Sequence, residues 1–192
     1  MKYLVLFSLT IILLLSSCKN EDNPVNQNYL PELLPLKIGN WWAFQRTDFD
    51  STGNIVSTFA DTMRVLRDTV IQNEHWFITN HGIYRNAKDG LRYWSWSDNS
   101  SYVYSYPANE NDIFIMGSAI VKVKSVNEKI SVPCGDFSCY HYQAELSQLY
   151  NWQINYFLSP GIGFVSSEGP SWTSSGKYYI YYREKLLSYA LK

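Results

Sequence analysis

The sequence predicts an all-β fold: a single antiparallel meander curled into a barrel or half-barrel, with a β-sandwich as the alternative arrangement. Three observations lead there. From Leu30 to Lys192, short aromatic or β-branched runs are broken by turn residues roughly every 8 to 12 positions, the spacing of sequential strands. Aromatic residues (7 Trp, 16 Tyr and 9 Phe) make up 17% of the chain, and these side chains favour pleated, half-buried surfaces. No long window carries a 3.6-residue apolar period; the best helical candidate is the short stretch Glu184 to Leu191.

The strands follow in order. Asn40 to Phe49 reads as the first, closed by the turn Asp50-Ser51-Thr52-Gly53-Asn54. Ile55 to Val70 is one long strand or two, and Gln72-Asn73-Glu74 turns into His75 to Thr79. Ile83 to Arg85, Leu91 to Trp96 and Ser101 to Tyr106 come next, separated by Ala87-Lys88-Asp89-Gly90 and Ser97-Asp98-Asn99-Ser100. Val121 and Val123 alternate with Lys122 and Lys124, whereas Ile130 and Val132 sit on the opposite parity, so a bulge or turn is required near Asn127-Glu128. Phe137 to Leu146, Trp152 to Leu158, Gly163 to Ser167 and Gly176 to Tyr189 complete the set. Within the last, Tyr178 to Tyr182 is almost wholly apolar, which predicts a strand covered on both faces. Many sequential strands with short connections favour closure, because closure limits exposed edges.

Length and charge bound the rest. With 192 residues the chain suits one domain of ordinary size, expected over 30–192. The aromatic content excludes disorder, and a formal net charge of −1 with no basic block excludes a nucleic-acid partner.

The amino terminus has its own logic. Lys2 supplies a positive charge, Tyr3 to Leu15 is almost unbrokenly apolar, and Leu15-Ser16-Ser17-Cys18 presents small residues before a cysteine. The apolar run is shorter than the about 20 residues that cross a hydrocarbon core, and its length suits a secretory signal over residues 1–17. Leu-Ser-Ser-Cys resembles the lipobox cut by the lipoprotein signal peptidase, which implies acylation of Cys18 and a membrane partner held through its acyl chains. Two or more chains anchor stably where one does not. Lys19 in place of aspartate implies, by the same resemblance, an outer-membrane location, facing the periplasm or the cell surface. Lys19-Asn20-Glu21-Asp22 is similar to an acidic surface-export signal, and reads equally as a solvated acidic linker. Residues 18–29 are polar, contain Pro24 and read as a tether.

Three further segments are suggestive together. Pro35-Leu36-Lys37-Ile38-Gly39-Asn40-Trp41-Trp42-Ala43-Phe44 resembles the "PLxxGNxWxY" opening of a loose group of uncharacterised Gram-negative lipoproteins. Val132-Pro133-Cys134-Gly135-Asp136-Phe137-Ser138-Cys139 is similar to their "VPaGtFxc" segment, and Pro160-Gly161-Ile162-Gly163-Phe164-Val165 to their "PGVGxV" turn. Phe44 replaces the usual tyrosine, and Cys134 stands where a small residue is commoner. The resemblance implies a β-rich extracytoplasmic domain and no particular activity. The motifs also read structurally: the glycines suit strand turns, and Trp41, Phe137 and Phe164 are positioned to plug a core.

Few constellations suggest chemistry. Cys134 and Cys139 flank four residues and would face each other across a tight hairpin; in an oxidising compartment they are expected to close a disulfide, with free thiols or a metal site with His141 as alternatives. His75, His81 and His141 lack metal-motif spacing, so no metal or cofactor is expected. No nucleophile elbow or phosphate loop occurs, and Glu110 and Asp112 read as a solvated loop. Tyr93, Trp94, Trp96, Tyr102, Tyr104 and Tyr106 crowd one hairpin, with Trp94 and Trp96 sharing one face and the last three tyrosines another. Exposed, such a face stacks sugar rings or receives an apolar ligand; turned inward, it is core. Asp50-Ser51-Thr52, Asp61-Thr62-Met63 and Asp68-Thr69-Val70 resemble a short bacterial O-glycosylation motif. The expectation is a membrane-anchored, non-enzymatic binding or envelope-structural module with a glycan, apolar or protein partner. The alternative is an envelope or polysaccharide hydrolase.

Overall fold

The computed structural model describes residues 30–97, 100–146 and 152–192, and the side chains of Ser100, Ser101, Tyr102 and Leu146 fall outside that description. The signal run, Cys18 and the tether lie outside it as well. The described residues form an all-β structure of twelve strands and no helix. In chain order these are β1 (Trp41–Phe49), β2 (Ile55–Ile71), β3 (Glu74–Thr79), β4 (Ile83–Ala87), β5 (Gly90–Ser95) and β6 (Ser100–Ser105), followed by β7 (Ile113–Met116), β8 (Ala119–Val132), β9 (Gly135–Leu146), β10 (Trp152–Ser159), β11 (Gly163–Trp172) and β12 (Tyr178–Ala190).

All twelve belong to one antiparallel sheet, in the order β6-β5-β4-β3-β2-β1-β12-β11-β10-β9-β8-β7. Each strand pairs with its sequence neighbours, except that β6 and β7 do not pair with each other, and β1 pairs with β12 from Trp41↔Ala190 to Asp48↔Tyr182. The meander is therefore nearly closed into a barrel, with one unsealed seam between β6 and β7, which touch without a hydrogen-bonded ladder. A sandwich would need two sheets, and the continuous order leaves one.

Alternation sets inside and outside. On β8, Ala119, Val121 and Val123 are buried while Ile120 and Lys122 face out. Register shifts between Val123 and Ser125 and between Ser125 and Glu128 then reset the parity, so that Val126 and Val132 also pack on the core. That is the irregularity the opposite parities demand. Across the outer faces of β8 to β12 runs a polar ladder: His141 Nδ1 meets Glu128 Oε2 at 2.8 Å and Nε2 meets Asn155 Oδ1 at 3.0 Å. Asn155 Nδ2 donates to Glu168 Oε1 at 3.2 Å, and Arg183 pairs with Glu168 Oε2 at 3.1 Å.

Two expectations are corrected here. Glu184 to Leu191 is not helical: its residues up to Ala190 lie in β12, with Leu186 fully buried and Glu184 and Ser188 on less buried positions of the strand. Nor is Tyr178 to Tyr182 covered on both faces, since Tyr178 and Tyr181 are exposed.

Eight strands already make a barrel that side chains fill, so a twelve-stranded ring encloses more space than its own walls can occupy. Part of it is taken by the segment before β1. Leu33 and Leu34 are essentially inaccessible, and Leu36 is buried with them. This segment crosses the barrel: Asn86 of β4 donates to the Leu34 carbonyl at 2.8 Å, and Gly161, in the β10–β11 turn, donates to the Glu32 carbonyl at 2.7 Å. The core plug of the opening motif is Trp42, at 0% exposure, and not Trp41, which is half-buried. The Trp42 indole donates to the Ile162 carbonyl at 2.6 Å. Asn40, also buried, donates to the Pro35 carbonyl and accepts from the Lys192 amide, both at 2.8 Å. The first and third motif segments thus interlock at one place in the fold.

Candidate functional site

The remaining interior is a cavity of about 410 Å³, within the range of small-molecule sites. Its wall is aromatic. Phe44 comes from β1, Tyr84 from β4, Tyr93 from β5, Tyr104 from β6, Tyr156 from β10 and Phe164 from β11. Tyr104 is the hub, with ring centroids 5.7 Å from Tyr156 and 6.0 Å from Phe164 in edge-to-face contact. Met63 and Met116 complete the apolar lining, and Met116 and Tyr104 belong to the two strands that flank the seam.

The polar lining is concentrated in Asp61, His81, Ser166, Ser167 and Glu184. His81 Nε2 lies 3.1 Å from Asp61 Oδ2, and both are partly exposed. Ser166 Oγ donates to the Glu184 carbonyl at 2.7 Å, and Ser167 Oγ to the Glu184 carboxylate at 2.8 Å. Both hydroxyls are thus committed to Glu184 and not to the imidazole. Arg46, outside the lining, pairs with Asp48 at 2.9 Å and lies 3.5 Å from Glu184 Oε1.

Burial pushes the phenols of Tyr84, Tyr104 and Tyr156 well above the ordinary tyrosine range, and the neighbouring tyrosines add to the effect. Burial disfavours the charged phenolate, so neutral phenol is the favoured form of these three groups. Tyr84, a residue 8% exposed, is among the most buried of the lining side chains.

The aromatic hairpin splits between two places. Tyr104 lines the cavity, and Tyr106, equally buried, packs edge-on against Tyr140 at 5.2 Å. Trp94 points the other way, into a small outer cluster with Trp76 and Ile83, and is 3% exposed. Trp96 is 68% exposed and lies edge-on against Trp94. The Tyr102 side chain lies outside the described residues. An exposed row of stacking rings is therefore not formed by Trp94, Tyr104 and Tyr106.

The expected disulfide is not supported: Cys134 and Cys139 are both free. Val132 pairs with Gly135, so the hairpin turns at Pro133-Cys134 and not between the cysteines. Cys134 sits in the turn, its thiol donating to the Leu186 carbonyl at 3.4 Å, while Cys139 is fully buried on β9 opposite Glu128. Burial above all, with Glu128 adding, pushes the Cys139 thiol up to about 12. Among the described residues, no three His, Cys, Asp or Glu side chains come together as a metal site.

No family model matches the chain, and no curated protein matches it. Two solved structures are similar in fold. One is a candidate exported protein with a YmcC-like fold from Bacteroides fragilis NCTC 9343, with a TM-score of 0.50 at 13% identity, covering 84% of this chain and 100% of that one. The other is a candidate lipoprotein from Parabacteroides distasonis ATCC 8503, with a TM-score of 0.48 at 13% identity, covering 84% of this chain and 99% of that one. The likeness to the first is one of fold.

Proposed function

We propose that this chain is a membrane-anchored, non-enzymatic binding module that holds a small, largely apolar ligand inside its barrel. The observation that carries the reading is the aromatic cavity, walled by Tyr84, Tyr93, Tyr104, Tyr156, Phe44 and Phe164. A glycan-binding surface would place such rings outside in a row, whereas these six converge on one space. The lipobox-like run ending at Cys18 supports anchoring by acyl chains, with the domain held at the outer membrane facing the periplasm or the cell surface.

Titration with N-phenyl-1-naphthylamine, a neutral probe that brightens in apolar sites, tests this. The parent chain is expected to bind it saturably, and a Ser166→Phe variant that fills the cavity is expected to bind at least about tenfold more weakly. Equal binding by the two proteins would place the probe elsewhere and remove the reading.

A hydrolase is the second reading, favoured by the two carboxylates, Asp61 and Glu184, that line the same cavity. It requires turnover of a polysaccharide that Asp61→Asn or Glu184→Gln abolishes.

A further inference from the structure

Resting on the binding reading above, we propose that the ligand is an organic ammonium ion: a protonated amine or quaternary ammonium carried on a compact apolar body. Two features of the cavity point to a positive charge. Its carboxylates, Asp61 and Glu184, outnumber its possible cations, because no lysine or arginine lines it among the described residues and His81 is the one basic group there. Arg46 approaches Glu184 from outside the lining but is shared with Asp48, whereas Asp61 pairs with His81.

The wall supplies the second feature. Four tyrosines and two phenylalanines surround one space, and aromatic faces carry the negative part of the ring quadrupole. Such rings attract ammonium groups, and several together form the cage that selects quaternary ammonium over neutral groups of the same shape. An anionic ligand would meet both the carboxylates and these ring faces unfavourably.

The test compares three probes of similar size by calorimetry: benzyltrimethylammonium, its uncharged carbon isostere neopentylbenzene, and phenylacetate. The protein is the Cys18→Ser chain with residues 1–17 exchanged for a cleavable secretion signal. The cation is expected to bind about tenfold or more tightly than the isostere, and phenylacetate more weakly than both. Asp61→Asn is expected to lower cation affinity about tenfold while leaving the isostere unchanged, which a merely structural loss would not do. Equal affinity for cation and isostere overturns the ammonium assignment and leaves the apolar-ligand reading standing. Tighter phenylacetate binding overturns the assignment in sign. No binding of any probe removes both.

Discussion

The Tyr142 hydroxyl, on β9, donates to the main-chain carbonyl of Ser105, the last residue of β6, at 2.8 Å. The bond crosses the one place where the barrel has no ladder. An edge strand leaves carbonyls without partners, and here a fully buried tyrosine from three strands away satisfies one of them. Tyr142 also packs edge-on against Tyr104, the hub of the cavity wall, at 5.5 Å. The seam and the cavity are thereby coupled through one side chain.

Replacing that hydroxyl tests the coupling. Tyr142→Phe keeps the ring and removes the donor, leaving the Ser105 carbonyl without it, at an expected cost of about 1 to 2 kcal/mol in urea unfolding. Hydrogen exchange is expected to accelerate in β6 and β7 before other strands. Unchanged protection in both strands would show that the seam is held by other contacts.

The interlock between the two motif segments is expected to matter more. Trp42→Phe removes both a buried indole and its bond to the Ile162 carbonyl. A loss of about 2 to 4 kcal/mol is expected in the same assay. Trp41→Phe, at a half-buried position, is the control and is expected to cost well under half as much.

Gly163 has two reasons to remain glycine. Its φ is +100°, in the region that side chains rarely adopt, and an added Cβ would collide with the Leu34 Cδ1 of the segment crossing the barrel. Gly163→Ala is expected to destabilise by about 1 to 3 kcal/mol. Gly53→Ala shares the positive φ but meets open space, so thermal melts of the pair separate backbone strain from collision.

The two thiols are expected to stay reduced in an oxidising compartment. Intact mass should show both hydrogens retained, and iodoacetamide should label Cys139 only after unfolding; a mass two hydrogens lower would contradict the hairpin register. Burial raises the folded value of the Cys139 thiol to about 12, above the ordinary thiol range. Its contribution to stability is therefore fully present below about pH 9 and lost as pH rises towards 12. Cys139→Val is expected to flatten that part of the alkaline decline in stability.

Much of the fold was legible because alternation and turn chemistry are local. The turn at Asp50 to Asn54, the irregularity in β8 and the run of sequential hairpins follow from residues near each other in sequence. β7 was not, since Ile113-Phe114-Ile115-Met116 shows no alternation of polarity: Phe114 packs inward while Ile113 and Ile115 are exposed beside the seam. The charges at Arg183, Glu184 and Lys185 blur the alternation of the last strand, because one of them faces a polar cavity and another a cross-strand partner. Trp41 and Trp42 differ only in parity, which no local signal decides. The cavity was the least legible part. Asp61 and Glu184 meet because β1 pairs with β2 on one side and β12 on the other, bringing residues far apart in sequence to one wall. Only the closure of the ring reveals it.

The central claim is that the barrel interior is a ligand site, and native mass spectrometry tests it most directly. The chain would carry Cys18→Ser, with residues 1–17 exchanged for a cleavable secretion signal, and would be purified from a Gram-negative periplasm. The account predicts a co-purifying small molecule whose mass adduct disappears in Ser166→Phe. An adduct retained by the filled variant, or a bare polypeptide mass that no added amphiphile shifts, would contradict it.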